Sequence, residues 1–136
     1  MDPAELWSLG DYSVIGDLWA QAGRDIVESL SVENKDIVDL ATGTGVSAIA
    51  AAKRGVRSVI GVDVTQSLLD EAAQRAEAAG VVAQWLNADM PQVPLSENCA
   101  DLVMSTFGLI FSPEPHEALS EAKRLARPGG EVVFSS

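Results

Sequence analysis

Cysteine and basic residues are both scarce in this 136-residue chain, and each scarcity removes a class of function. The one cysteine, Cys99, allows no internal disulfide and no cysteine-built metal centre, which points to a reducing compartment. No cation stands beside it in sequence to lower its pKa, so it reads as a packing residue rather than a nucleophile. Nine lysines and arginines face twenty aspartates and glutamates, a formal net charge of −11. Nucleic acid and anionic membrane would be repelled, so a small or neutral molecule is the expected partner. Aromatic residues are only 5% of a chain that is 47% hydrophobic, and a balance of Ala, Val and Leu suits helices packed on a buried parallel sheet. No long uncharged apolar run and no cationic-apolar leader stands out, so the expectation is a soluble, cytoplasmic protein of one domain.

What the chain does carry is a glycine loop in a fitting context. Ile37-Val38-Asp39-Leu40 reads as a buried strand, Gly43 and Gly45 let the backbone turn and approach a ligand, and Val46 to Lys53 takes up a helical pattern. Strand, loop and helix in this order open nucleotide-type α/β sites. Gly43-Thr44-Gly45-Val46-Ser47-Ala48 also fits the G-x-G-x-x-A form used for dinucleotides, so the loop alone leaves the ligand open. Asp39 favours one choice. A carboxylate just before the loop repels a pyrophosphate, whereas S-adenosylmethionine (SAM) brings a cationic sulfonium and ammonium. The bland alternative is that Asp39 caps backbone N–H groups of the loop.

Further acids follow at strand ends. Ser58 to Val62 reads as a second strand ending in Asp63, twenty residues after Gly43, the spacing at which an acid accepts both ribose hydroxyls. That chemistry serves adenosine in SAM and NAD alike. Thr65 is placed to cap the next helix, which takes Leu68, Leu69, Ala72, Ala73, Ala76 and Ala79 as its buried stripe and ends at Gly80. Val81 to Asn87 is expected as a third strand, beyond which Asp89 is placed to accept a hydrogen bond from an adenine amino group, with a solvated loop acid as the alternative. A fourth strand, Ala100 to Ser105, leads to Thr106-Phe107-Gly108-Leu109-Ile110-Phe111, expected to flank the reacting centre. Ser112-Pro113-Glu114-Pro115 starts a helix that Pro128-Gly129-Gly130 stops, and Glu131 to Ser136 is the fifth strand. Upstream, Pro3 to Leu30 reads as mostly helical with Gly16 and Gly23 as bends, and Trp7 and Tyr12 as either helix packing or a lid. The expected organisation is a helical cover over 1–34 and a ligand-binding core over 35–136.

In order along the chain, four blocks carry a family likeness: Val38-Asp39-Leu40-Ala41-Thr42-Gly43-Thr44-Gly45, Val59-Ile60-Gly61-Val62-Asp63, Ala88-Asp89-Met90 with Cys99 to Phe107, and Leu125-Ala126-Arg127-Pro128-Gly129-Gly130. Together they resemble the class I SAM-dependent methyltransferases, especially the bacterial small-molecule branch related to the ubiquinone and menaquinone C-methyltransferases. Gly10-Asp11-Tyr12 resembles the opening segment of that branch. The resemblance implies an α/β, Rossmann-like, doubly wound parallel sheet in strand order 3-2-1-4-5. It implies that Asp39, Ala41 and Gly43 hold the methionine portion of SAM and that Gly45 shapes the loop. Asp63 and Val64 would face the ribose, Asp89 and Met90 the adenine, and Tyr12, Thr106 and Phe107 the methionine portion or acceptor. Two departures stand out. Ala41 replaces a commoner glycine, and the family's sixth and seventh strands find no counterpart before Ser136. The fifth strand is then expected as an open edge carrying Val132, Val133 and Phe134, which fits a truncated chain or a homodimer that borrows a strand.

The implied reaction is in-line attack of a small-molecule acceptor on the SAM methyl, yielding S-adenosylhomocysteine (SAH) without a metal. The protein's part is to orient the acceptor and exclude water. His116, the only histidine, is a candidate base, against the plainer reading of a solvent-facing helix residue. Ser105-Thr106-Phe107-Gly108 stands where an enzyme methylating amino groups of nucleic-acid bases would carry Asn-Pro-Pro-Tyr, which again disfavours a nucleic-acid acceptor. The rival readings are an NAD-dependent oxidoreductase and a non-catalytic SAM- or SAH-binding module.

Overall fold

Ile37, Val38, Asp39 and Leu40 are all buried, as consecutive residues must be in a strand with helices over both faces. The computed structural model describes residues 13–106 and 114–135. Tyr12 and Phe107, like Trp7, lie outside the described residues. Among those described the order is α1 (Ser13–Glu28), β1 (Asp36–Leu40), α2 (Val46–Ala52), β2 (Ser58–Asp63), α3 (Gln66–Ala79), β3 (Gln84–Asn87), β4 (Ala100–Thr106), α4 (Pro115–Leu125) and β5 (Ala126–Ser135). The strands form one parallel sheet in the order β3-β2-β1-β4-β5, the order the family likeness implies. No helix among the described residues is long and apolar enough to cross a membrane.

Strand alternation divides the core in two. Val38, Leu40, Val62 and Val103 face Ala118, Ala122 and Leu125 of α4, together with Met90 and Val93 from the β3–β4 connection. Ile37, Val59, Leu102 and Met104 point the other way, against Val27 of α1 and Ala48 and Ala51 of α2. Arg124 pins the β3–β4 connection to α4 by donating to the carbonyls of Leu95 and Val93, each at 2.9 Å, while Glu121 accepts the Val93 N–H at 2.7 Å.

The sequence reading needs correction at four places. The third strand starts at Gln84 rather than Val81, because the chain leaves α3 through the left-handed Gly80 (φ 71°) and aligns with β2 only from Ile60↔Gln84 onward. Thr65 does occupy the N-cap of α3, but its hydroxyl makes no capping bond. Helix α4 stops at Leu125, and Pro128-Gly129-Gly130 lies inside β5 as a bulge, where the register with β4 jumps from Ala100↔Ala126 to Leu102↔Glu131. Proline has no N–H to leave unpaired there, Gly129 takes φ 82°, and a Cβ on Gly130 would sit 2.8 Å from the Asp101 carbonyl oxygen. Finally, α1 runs unbroken through Gly16 and Gly23, and Gly23 serves close approach instead: a Cβ there would lie 2.9 Å from Ser47 Oγ.

A polar clamp joins four strands at the amino-terminal rim of the sheet. Arg57 donates to both carboxylate oxygens of Asp36, at 3.0 and 2.7 Å, and Ser58 and Arg127 add bonds of 2.7 and 2.9 Å. Asp101 accepts the Asp36 N–H at 2.8 Å and pairs with Arg127 at 2.9 Å and Arg57 at 3.2 Å. The Arg57 and Ser58 hydrogen bonds hold the Asp36 carboxyl far below its ordinary 3.8. A depressed carboxylate pKa contributes stability above the unfolded value and loses it as pH falls toward the folded one. Asp36→Asn is therefore expected to cost about 1–2 kcal/mol in urea unfolding at pH 7, a penalty that shrinks only below about pH 4. A penalty that is equal at pH 7 and pH 3 would contradict the clamp's ionic character.

Candidate cofactor site

At the carboxyl end of β1 the backbone turns left-handed three times within five residues: Ala41 at φ 55°, Gly43 at φ 59° and Gly45 at φ 80°. Ala41 bears the cost of a Cβ in that region, about 1–2 kcal/mol, which is the physical reason glycine is the easier residue there. Gly43 is open, with nothing within 4 Å of where a Cβ would stand. Gly45 is the N-cap of α2 and is tightly enclosed, since a Cβ would lie 2.7 Å from Trp85 Cη2 and 3.0 Å from Ala72 Cβ. Gly61 on β2 is closed by the same indole, with a Cβ 2.5 Å from Trp85 Cζ3. Trp85 therefore lies across two glycines and supports the loop from below. Neither Trp85 nor Thr42 was among the residues expected at the site. Trp85 reads in sequence as an ordinary strand aromatic, and only the opposed glycine at position 61 hints at a ring needing space.

Asp63 braces the loop from β2. One carboxylate oxygen accepts the Gly43 N–H and the other the Thr65 N–H, both at 2.9 Å, which leaves lone pairs on each oxygen for further donors. Val64, next in the chain, is half exposed and presents an apolar surface beside that carboxylate. Asp39 is different in kind. It is only 1% exposed, accepts the Thr42 hydroxyl at 2.7 Å, and is bonded by the Ala48 N–H in the first turn of α2. Burial pushes its carboxyl up to about 7, the nearby charge of Asp63 adds to the rise, and the Thr42 and Ala48 hydrogen bonds oppose it. The loop-capping role weighed as the plainer reading is thus present, and beside it stands a buried acid with no ion-pair partner among the described residues.

The remaining expected residues are spread along the same rim. Asp89 is exposed just beyond β3, its carbonyl accepting the Gln92 N–H in a tight turn, and it borders an open groove of about 530 Å³ running to Glu114 and Glu117 of α4. The Met90 side chain is buried in the core, which leaves only its backbone for a ligand. Thr106 ends β4, and its hydroxyl bonds that of Ser47 at 2.9 Å on the face covered by α1. His116 is exposed in the first turn of α4.

A glycine loop between parallel strands, braced by a strand-end acid twenty residues on, defines a nucleoside-cofactor domain of Rossmann-like topology. Residues 37–130 match the family described as Methyltransferase domain, and the chain belongs to that family, the class I SAM-dependent methyltransferases, in which SAM is the cofactor. It is 35% identical over 130 residues to an uncharacterized protein of Mycobacterium tuberculosis, covering 94% of this chain and 47% of that protein. It is 34% identical over 119 residues to the ubiquinone/menaquinone biosynthesis C-methyltransferase of Roseobacter denitrificans, covering 85% of this chain and 47% of the relative. The chain thus spans about half the length of the curated relatives it matches. Among solved structures, phosphoethanolamine N-methyltransferase 1 of Haemonchus contortus, in complex with phosphoethanolamine and SAH, superposes with a TM-score of 0.74 at 27% identity, over 87% of this chain and 26% of that one.

The packing on Gly45 gives a measurable expectation. Gly45→Ala combines left-handed strain with a clash on Trp85 and is expected to cost about 2–4 kcal/mol, against about 1 kcal/mol for Gly43→Ala, which meets strain alone. Trp85→Phe removes the two ring atoms that crowd Gly45, so a double-mutant cycle in urea should show favourable coupling of about 1 kcal/mol or more. Additive penalties would show that the indole does not set the loop.

Proposed function

We propose that the protein transfers a methyl group from SAM to a small-molecule acceptor in the cytoplasm. The observation that carries this reading is the uncompensated anion at the loop. Lys35, Arg57 and Arg127 adjoin the amino ends of strands, and Lys53, Arg54, Lys123 and Arg124 the carboxyl ends of helices, which is the opposite rim, while Arg75 is paired with Glu71 along α3 and Arg24 donates to Gln21 on the exposed side of α1. Asp39, Asp63 and Asp89 therefore stand where no basic side chain could balance a pyrophosphate, while a ligand with net positive charge is favoured.

In this reading Asp39, Ala41 and Gly43 hold the methionine portion and Gly45 keeps the loop in shape. The free lone pairs of Asp63 accept the ribose hydroxyls, and Val64 covers the sugar and base from the side. Asp89 accepts from the adenine amino group beside the Met90 N–H. Thr106 lies on the acceptor side under α1, and Tyr12 and Phe107, which the family likeness assigns to the same part of the site, lie outside the described residues. SAM, when bound, supplies a methyl already activated by a positive sulfur. The chain's task is then to hold, orient and dry the reactants, and orientation alone can contribute about 7–11 kcal/mol. His116 is the candidate to take a proton from an acceptor that carries one. The acidic rim disfavours nucleic acid, and the C-methyltransferase relative supports a small acceptor.

Calorimetry should show binding of SAM and SAH and none of NADH, and radiolabelled SAM should pass its methyl to a metabolite pool. Asp63→Ala is expected to weaken SAM by about 1–3 kcal/mol, the cost of losing charge-assisted hydrogen bonds. NADH binding with no response to SAM would overturn the reading, and SAM binding without any transfer would make the protein a binding module.

A further inference from the structure

We propose that Asp39 discriminates substrate cofactor from spent product by its protonation: its carboxyl releases a proton to solvent when SAM binds and retains it when SAH binds. The inference rests on the SAM reading and adds to it a role that no cofactor contact by itself would supply. Asp39 is closed off from water, and its two described partners, the Thr42 hydroxyl and the Ala48 N–H, are neutral. From β2 the facing group is Asp63, a like charge that favours the neutral acid. On β4 the residue level with the strand end is Ser105, which donates to the Leu40 carbonyl at 2.7 Å, while Asp101 belongs to the clamp at the other rim. Helix α2 carries no charged residue before Lys53 at its C-cap, and Arg24, Asp25 and Glu28 of α1 are exposed. Asp70, Glu71, Arg75 and Glu77 of α3 are exposed as well.

Among the described residues nothing stabilises the anion by charge, and burial pushes the carboxyl up to about 7, into the range where a nearby charge decides its protonation. A sulfonium at the loop supplies the missing positive charge and draws the carboxyl to its anionic form. Methyl transfer removes that charge, since the sulfur of SAH is a neutral thioether. The carboxyl then returns toward the protonated form, and the attraction that held the substrate cofactor is withdrawn from the product.

The test is calorimetric titration of the whole chain with SAM and with SAH at pH 6, 7 and 8, in pairs of buffers that differ in ionisation enthalpy so that protons are counted directly. SAM affinity is expected to rise about tenfold from pH 6 to pH 8, with release approaching one proton at the acid end, and SAH affinity to change far less. The ligands' own α-amino groups titrate alike against wild type and Asp39→Asn, so the comparison of the two isolates the carboxyl, and Asp39→Asn should abolish the SAM-specific rise. Thr42→Val keeps the carboxyl but removes a bond to its charged form, so the rise should move to higher pH, a readout that survives if Asp39→Asn does not fold. SAM binding with no proton release, or with the same pH dependence in Asp39→Asn as in wild type, would overturn the proposal while leaving the cofactor assignment intact. Absence of SAM binding at every pH would overturn both.

Discussion

A buried carboxyl at the end of the central strand is the constraint around which this site is arranged. Moving a charge into a protein interior costs several kcal/mol unless it is paired, and Asp39 is paired with nothing of opposite sign among the described residues. The fold tolerates it by giving it a hydroxyl and a helix N–H and by letting it hold a proton. A core position occupied in this way contributes less to stability than an apolar side chain would, so its justification lies with a ligand that brings positive charge to the loop.

The two rims of the sheet carry opposite assignments. At the amino ends, Asp36, Asp101, Arg57 and Arg127 interlock so that β1, β2, β4 and β5 are held in register by fully matched charges. At the carboxyl ends the acids are left without basic partners among the described residues, and the backbone, through Gly43 and Thr65 N–H groups, takes over the work of holding Asp63. Helix direction enforces the division. In a parallel α/β layer each helix returns with its carboxyl end at the amino rim, where Lys53, Lys123 and Arg124 favour its dipole. Placing cations there stabilises helices and keeps them away from the cofactor rim with one choice of sequence.

Much of this was legible without coordinates because local rules and the global fold agree. Apolar residues marked β1, β2 and β4, and the twenty-residue spacing from Gly43 singled out Asp63, whose carboxylate the structure places on the Gly43 N–H. What escaped was set by contacts distant in sequence. Arg127 reads as the basic end of a helix, yet it reaches Asp36 across 91 residues. Pro128-Gly129-Gly130 has the composition of a turn and becomes a bulge only because β4 presents the Asp101 carbonyl where a side chain would stand. Thr42 carries no signal of its own in the sequence, and only the fold brings its hydroxyl onto the buried acid.

Trp85 explains why the loop does not depend on a ligand for its shape. Its indole fills the space that Gly45 and Gly61 leave empty, so two positions that look permissive by composition are closed by a rigid neighbour. Gly45 takes φ 80° under a ring that no Cβ could share, and Ala72 of α3 closes the same space from the other side. With Asp63 holding Gly43 from β2 and Asp39 holding Thr42 from β1, the turn is fixed by side chains from three adjacent strands. The backbone strain at Ala41 is a small local cost of a turn held from so many sides.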